Sequence, residues 1–302
     1  TALFTAGLDT PESHALRAKV KEREPGMVAK GLGGLRSEEA MDLREELKDT
    51  APVYVAGSLS GMGKNPRACQ LRLELADVAP EQIALAVRGS DSEHAWEIRD
   101  KIGKKVPDEV LMSLRGLETE RAWELRKKRT KDKYARALLQ SLGGIDSDEA
   151  WELRDRFSNE YLPWVLISLR GLRSDRSWDL RQEHVCRAPK IIIKTIGSSN
   201  DPRAWEIRND SKPYAKEVLD SLSGLDSGDA WRLRMELKDK WPNTAISSLG
   251  AGSQSERDWK FRWDMLREHP GNHLLVKHLV KAQLKSVSRR AKEEARKEEG
   301  AV

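Results

Sequence analysis

Residues 93–99 read EHAWEIR, and residues 120–126 repeat this stretch almost letter for letter as ERAWELR. A tryptophan followed three positions later by an arginine recurs at this spacing through most of the chain. The tryptophans of the motif are Trp96, Trp123, Trp151, Trp178, Trp205, Trp231 and Trp259. Three earlier copies keep the arginine but carry His14, Met41 or Cys69 in place of the tryptophan. These ten anchors lie 26 to 28 residues apart, which indicates ten repeats of one structural unit, numbered 1 to 10 from His14 to Trp259.

Each repeat carries the start and stop signals of two short helices. The residue four positions before every anchor is Ser, Thr, Asn or Asp, whose side chain caps a helix N-terminus. A proline about eleven residues after most anchors marks the start of a second helix, because proline suits a first helical turn but not a helix interior. A glycine seven residues before the next anchor ends that helix in most repeats, including Gly252 in the last, whereas repeat 8 has Ser198 there. We therefore predict a helix A of about 12 residues and a helix B of about 10 residues per repeat.

The apolar residues of helix A fall on one face, as Ala95, Ile98 and Ile102 do in repeat 4. Neither helix is long enough to be stable alone, so helix B and the neighbouring repeat must cover this face. The sequence predicts an all-α fold, an α-solenoid in the form of a right-handed superhelix, over residues 1–272. Residues 273–302 are predicted to form a capping helix followed by a charged tail.

These capped, proline-punctuated helix pairs resemble a short HEAT-type repeat array over residues 1 to about 272. The AWxLR core is also similar to helical extensions of bacterial thymidylate-kinase-like proteins. No activity is carried over from that resemblance, because no kinase domain is present in the sequence. Residues 1–8 resemble the end of a helix B, so we expect the chain to be part of a longer protein.

The arginine of the motif is present in every repeat. It is Arg17, Arg44, Arg72, Arg99, Arg126, Arg154, Arg181, Arg208, Arg234 and Arg262. In one interpretation this column is structural: each guanidinium stacks on a tryptophan and bridges to a helix C-terminal carbonyl or to a turn carboxylate such as Asp91, Glu118, Asp146 or Asp226. In the other, the arginines line a surface and bind a phosphate backbone or an acidic partner. The tryptophans likewise form either the core between repeats or a platform for stacked bases.

Five residues outside these columns are candidates for binding a partner. They are Arg88, Arg115, Arg170, Trp164 and Trp241. The three arginines precede turn glycines and would form a basic groove with Lys64 and Arg173 if helices B line a concave surface. The two tryptophans lie beside the prolines that start helices B, and they form either hydrophobic staples or part of a binding patch.

Charge and hydropathy limit the classes of protein to which the chain can belong. The chain carries 54 Lys and Arg against 49 Asp and Glu, and eight of the basic but only four of the acidic residues fall in residues 277–302. The repeats are therefore nearly neutral, unlike a protein that binds nucleic acid along its length. No apolar run of about 18 residues and no leader are present, and the two cysteines lack metal-site spacing, so we expect no membrane span and a cytoplasmic location.

No pattern of catalytic or metal-binding residues emerges. Residues 57–65 contain glycines but not Walker A spacing. The histidines at 269, 273 and 278 are joined by no cysteine or carboxylate cluster in sequence, so we predict no metal site. Cys186 is predicted to be a buried structural thiol. We therefore expect no catalytic residue and no cofactor, and a chain that is not an enzyme.

The leading functional hypothesis is a non-catalytic scaffold or docking module for a protein partner or an attached domain. One alternative is binding of nucleic acid or polyphosphate through the arginine column and the basic tail. A second alternative is an auxiliary region of a nucleotide-kinase-like enzyme whose catalytic domain lies outside this sequence.

Overall fold

The computed structural model describes residues 7–63, 65–250, 255–280, 282–283 and 286–287, and these residues form only helices and turns. Helices A are α1 (Pro11–Val20), α3 (Glu38–Leu47), α5 (Pro66–Leu75), α7 (Glu93–Ile102), α9 (Glu120–Lys127), α11 (Asp148–Phe157), α13 (Asp175–His184), α15 (Pro202–Asp210), α17 (Gly228–Leu237) and α19 (Glu256–Glu268). Helices B are α2 (Pro25–Gly31), α4 (Pro52–Ser58), α6 (Pro80–Ala86), α8 (Pro107–Ser113), α10 (Ala135–Ser141), α12 (Leu162–Ser168), α14 (Pro189–Ile196), α16 (Ala215–Ser221) and α18 (Pro242–Ser247). Short 3-10 helices, Asp132–Tyr134 and Lys212–Tyr214, lead into α10 and α16.

Each helix packs against its neighbours in sequence, and the helices B form the closer series. In the first part of the chain, α2, α4, α6, α8, α10 and α12 pack one on the next, and α14, α16 and α18 do so in the second part. Each helix B also contacts the helix A of its own or a neighbouring repeat. The predicted all-α solenoid of short repeats is therefore confirmed. The chain divides into two compact units, Thr1–Ser168 and Leu169–Val302.

The predicted N-caps are confirmed in all ten repeats, since the residue four positions before each anchor directly precedes helix A. In eight of them the side chain accepts a backbone N–H of the first turn. Ser92 Oγ, for example, accepts from the Ala95 N–H at 3.2 Å. The exceptions are Thr119 and Ser147, which occupy the cap position without that bond. Prolines begin six of the helices B, as their fixed φ favours.

Both helices are shorter than predicted: most helices A have 10 residues and most helices B have 7. For helix B the reason lies at its C-terminal end, where the arginine of the next repeat donates a hydrogen bond to a carbonyl. The α4 helix ends at Ser58, and the Leu59 carbonyl then accepts from Arg72 Nη2 at 2.6 Å. The chain leaves the helix at this point and turns through Gly61, whose φ is +78°.

A glycine with positive φ ends this turn in all ten repeats, so the predicted exception in repeat 8 was wrong. The glycines are Gly7, Gly34, Gly61, Gly89, Gly116, Gly144, Gly171, Gly197, Gly224 and Gly250. In repeat 8 the conformation is adopted by Gly197, beside Ser198, because the turn that follows is one residue longer. In repeat 10 it is adopted by Gly250, and Gly252 lies outside the described residues.

The apolar face predicted for helix A is buried. Ala95, Ile98 and Ile102 are at most 1% exposed. They belong to a continuous core that extends through the first repeats from Val28 to Val110. This core is shared between successive repeats, which explains how helices of 7 to 10 residues remain folded.

Two exposed glycines allow the turn geometry to be tested. Gly116 has φ +76° and Gly57 lies within α4, and an added Cβ would meet no atom within 4 Å at either position. We expect Gly116→Ala to lower the free energy of unfolding by roughly 1–2 kcal/mol, because alanine disfavours the left-handed region. Gly57→Ala should instead raise it by about 0.5–1 kcal/mol. Urea unfolding followed by circular dichroism measures both, and equal effects would contradict this account.

Candidate functional site

The motif arginines are buried inside the repeats. All ten are at most 2% exposed, so none of these guanidinium groups lies on a surface. Burial lowers the pKa of Arg126 to about 10, because desolvation disfavours the charged form. That value is still above neutral pH, so the side chain remains charged. A buried charge of this kind requires partners for its donors.

Arg126 shows how these donors are satisfied. Its Nη1 donates to the Leu117 carbonyl and its Nη2 to the Leu114 carbonyl, both at 2.8 Å. Both carbonyls belong to the turn that ends α8 in the preceding repeat. Its Nε donates to Ser141 Oγ at 3.0 Å and its Nη2 also reaches the Ser141 carbonyl at 3.1 Å, at the end of α10. One side chain on α9 therefore connects the C-terminal ends of the helices B on either side of it.

The same arrangement recurs along the column. Arg44 Nη2 donates to the carbonyls of Leu32 and Leu35 at 2.6 and 3.0 Å, and Arg154 Nη2 donates to those of Leu142 and Ile145 at 2.9 and 2.8 Å. Helix C-termini carry partial negative charge, which a guanidinium stabilises. The column thus neutralises the end of one helix B after another.

A column of hydroxyl groups, which the sequence pattern did not predict, completes this site. The Nε of the arginine donates to a hydroxyl at the end of helix B in its own repeat. These hydroxyls belong to Ser58, Ser113, Ser141, Ser168, Thr195, Ser221 and Ser248, at 2.9–3.1 Å. Each hydroxyl in turn donates to the carbonyl three residues earlier. The signal was present as a Ser or Thr at nearly constant distance after the arginine, as in the recurring SLRGL ending of helix B.

Repeat 3 lacks this hydroxyl. Ala86 stands at the end of α6 where the seven repeats above have Ser or Thr, just as Gly31 stands at the end of α2 in repeat 1. The Arg72 Nε is buried without a hydrogen-bond partner. Arg72 keeps its bond to the Leu59 carbonyl at 2.6 Å.

The tryptophans stack on the arginines of the column. The guanidinium carbon lies 4.4–5.3 Å from the ring centroid of the same repeat's tryptophan in the seven repeats that have one. Trp96, Trp178 and Trp231 also carry a second guanidinium, from Arg121, Arg203 and Arg257 of the following repeat. On these three rings two guanidinium groups lie against one indole, which leaves little room for a stacked base.

In repeats 4, 6 and 9 the turn carboxylates accept hydrogen bonds from the tryptophans, whereas the prediction paired them with the arginines. Glu118 of repeat 5 acts on Arg126 through its charge, which opposes the effect of burial on the pKa of that arginine. The indole N–H groups of Trp96, Trp151 and Trp231 donate to Asp91, Asp146 and Asp226 at 2.9, 2.8 and 2.6 Å. The reason is spacing, since five residues separate the carboxylate from the tryptophan and the indole reaches it first. The carboxylate still acts through its charge in repeat 4, where burial lowers the pKa of Arg99 to about 10 and Asp91 partly opposes that effect.

The five candidate partner-binding residues differ in environment. Arg88 and Arg170 are exposed, whereas Arg115 is half-buried against Gly143. Trp164 is half-buried, with the Arg136 guanidinium 4.6 Å from its ring, and Trp241 is 40% exposed.

Within the proposed basic groove, the structure brings Arg170 and Arg173 together at one pocket of the second unit. Arg88 and Arg115 belong to the first unit, and Lys64 lies outside the described residues.

Three groups with metal-ligand chemistry come together near the end of the repeats: Asp239, Glu268 and His269. Lys238 already forms ion pairs with both carboxylates, with its Nζ 3.2 Å from Asp239. Lys238 therefore offsets one of the two negative charges of this cluster.

Cys186 is exposed, which contradicts its predicted burial. His184 occupies the buried position six residues after Trp178 that Ile102 has in repeat 4, so the chain has already turned outward at Cys186. In the part of the chain that the structure describes, no helix is both long and apolar enough to cross a membrane.

Comparison with known proteins gives no relatives: no family model matches the chain, and neither a curated protein nor a solved structure is significantly similar to it. The repeat array is therefore defined by its own geometry, and the HEAT-type and kinase-extension resemblances stay predictions.

Removing one arginine from the column tests its structural role. We expect Arg126→Ala to lower the free energy of unfolding by roughly 3 kcal/mol or more, since it leaves two turn carbonyls and the Ser141 hydroxyl without their buried donor. The matched control is Arg88→Ala, an exposed arginine, which should change stability by less than about 0.5 kcal/mol. Thermal and urea unfolding measure both variants. Equal stability of the two would show that the buried geometry contributes little.

Restoring the missing hydroxyl of repeat 3 is the complementary test. We expect Ala86→Ser to raise the free energy of unfolding by about 1 kcal/mol, because the serine Oγ supplies an acceptor for Arg72 Nε. Ser113→Ala, which removes the same hydroxyl from repeat 4, should lower it by a similar amount. A urea midpoint that falls for Ala86→Ser would contradict the assigned role of the hydroxyl column.

Proposed function

We propose that the chain is a non-catalytic interaction module that holds a protein partner, or an attached domain, on the solvent-facing side chains of its repeats. The supporting observation is that the arginine column, the most regular chemical feature of the sequence, is buried and bonded to turn carbonyls. The regular arginine column therefore stabilises the repeat array, and any binding specificity comes from the exposed positions that differ between repeats.

Large apolar side chains are exposed in the second unit. Met235, Trp241 and Trp263 are 52%, 40% and 48% exposed. Methionine and tryptophan are enriched at protein interfaces, and tryptophan in particular dominates binding energy where it is buried by a partner. A partner that covers these side chains would remove apolar area from water.

Nucleic acid is less well supported by the same geometry. Binding a phosphate backbone requires accessible guanidinium or ammonium groups, and the ten column arginines are at most 2% exposed. Of the eight basic residues in the tail, Lys277 alone lies within the part of the chain that the structure describes. The nucleic-acid hypothesis would therefore rest on the tail and on scattered surface charges.

Affinity capture with the whole chain tests the proposal. We expect mass spectrometry to identify a protein that survives nuclease treatment and about 200 mM salt, conditions that weaken backbone phosphate contacts. Its capture should fall at least about tenfold with Trp241→Ala or with Arg88→Glu, as expected for interface residues.

The matched control for charge is Lys104→Glu, an exposed residue at the opposite end of α7 from Arg88. This variant should capture the partner as the unchanged chain does. Capture that disappears with nuclease, or that none of the surface variants reduces, would contradict the proposal.

A further inference from the structure

The residue five positions before the anchor is hydrogen-bonded to it in five of the repeats. In repeats 4, 6 and 9 it is an aspartate that accepts the indole N–H, and in repeat 8 Asn200 Oδ1 accepts from Trp205 at 3.0 Å. In repeat 1 the anchor is His14, whose Nε2 lies 2.8 Å from Asp9 Oδ1. A polar anchor in these repeats is thus matched with an acceptor.

Two repeats have neither an acceptor at this position nor an anchor that needs one. Arg36 and Lys64 occupy this position in repeats 2 and 3 and offer no acceptor. Their anchors need none there, because Met41 has no N–H and the Cys69 thiol donates to the Gly63 carbonyl. Donor and acceptor therefore vary together among the repeats of this one chain.

Repeat 7 combines a tryptophan anchor with a basic residue, because Arg173 stands five residues before Trp178. An arginine side chain carries no hydrogen-bond acceptor, so it cannot accept a hydrogen bond from the indole N–H. Trp178 is 1% exposed, and its Nε1 is buried without a hydrogen-bond partner. Its ring is held by Arg181 and Arg203, whose guanidinium carbons lie 4.7 and 5.1 Å from its centroid. The indole is fixed in place with one donor unused.

A pocket of about 430 Å³ opens at this point, within the second unit. Trp178 lines it together with Arg170 and Arg173, which are both exposed. Arg173 is also among the groups whose charge lowers the pKa of Asp201. Ser198 and Ser199, in the lengthened turn of repeat 8, form another wall, and Asp220 contributes one carboxylate. A volume of this size is within the range of small-ligand sites, which begins at about 300 Å³.

We propose that this pocket binds a carboxylate of a protein partner, an aspartate or glutamate side chain that takes the place of the acid missing at position 173. This inference rests on the proposed function. One carboxylate oxygen accepts from the Trp178 indole, as an aspartate does in repeats 4, 6 and 9, and the guanidinium groups of Arg170 and Arg173 pair with the charge. A phosphate dianion fits less well, because Asp220 would face its second charge.

The test observes Trp178 directly in the whole chain labelled with ¹⁵N-tryptophan. The indole N–H resonance of Trp178 is assigned with Trp178→Phe. The probe is an acetylated, amidated glycine-rich pentapeptide with one central glutamate, and the control peptide has glutamine instead. Because a single carboxylate binds weakly, titration extends to about 20 mM at constant ionic strength.

We expect the glutamate peptide to shift the Trp178 indole resonance in a saturable way, whereas the glutamine peptide leaves it unchanged. Inorganic phosphate forms a third arm and should bind at least tenfold more weakly. Equal shifts with the glutamine peptide, or tighter binding of phosphate, would overturn the assignment of a carboxylate.

Arg173→Asp provides the decisive variant, since it restores the acid that repeats 4, 6 and 9 carry. The Trp178 resonance should then move downfield without any peptide and respond to none, and the melting temperature should rise by about 2–4 °C. Arg173→Ala and Arg170→Ala leave the indole unpaired and should each weaken binding at least tenfold. The matched control, Lys104→Ala in the first unit, should bind as the unchanged chain does. Unaltered binding by Arg173→Asp or by both alanine variants would overturn the proposal.

Failure of this site and failure of the proposed function give different results. If the Trp178 resonance does not shift while capture of a partner stays intact and depends on the surface residues, only the pocket proposal is contradicted. Partner capture that falls at least tenfold with Arg173→Asp supports both proposals. A saturable Trp178 shift in a chain that captures no protein supports the carboxylate pocket and contradicts the interaction module.

Discussion

The buried arginine on each helix A is the interaction on which the rest of this structure depends. Helices of 7 to 10 residues cannot fold alone. Their C-terminal carbonyls would cost free energy if they were buried without hydrogen-bond donors. Arg126 resolves both difficulties, since its donors satisfy the turn carbonyls of Leu114 and Leu117 and hold α8 and α10 against α9. The hydrophobic core supplies the buried apolar area, and the guanidinium fixes how successive repeats pack against each other.

A buried positive charge is costly, and the repeats lower this cost without a full ion pair. The acceptors are carbonyl dipoles at helix ends, a hydroxyl and the face of a tryptophan ring. The turn aspartate is held by the indole and contributes charge at a distance. This division of tasks explains why the column tolerates Met41 and Cys69 as anchors, and why the position five residues earlier can change from acidic to basic.

The sequence predicted what depends on local spacing. Ser92 and Pro107 mark helix starts through local backbone chemistry, and the period of the anchors implies stacking of repeats, so both followed without coordinates. The partner of Asp91 did not follow, because an indole and a guanidinium were both within reach in sequence and only the fold decides between them. The hydroxyl of Ser113 was visible in the pattern but gained meaning only when Arg99 was found 2.9 Å away. Cys186 was misjudged because the burial of a residue in a turn depends on where the preceding helix ends, here at His184.

The nature of the acceptors also bears on how such an array changes over time. A turn carbonyl is offered by any residue type, so the arginine of one repeat makes the same bonds whichever repeat precedes it. Duplication or loss of one whole unit therefore preserves every junction, whereas insertion of a few residues within a unit would displace the arginine from its carbonyls. An array held together in this way can vary in copy number while each copy acquires its own surface, as repeat 7 has done by exchanging an aspartate for Arg173.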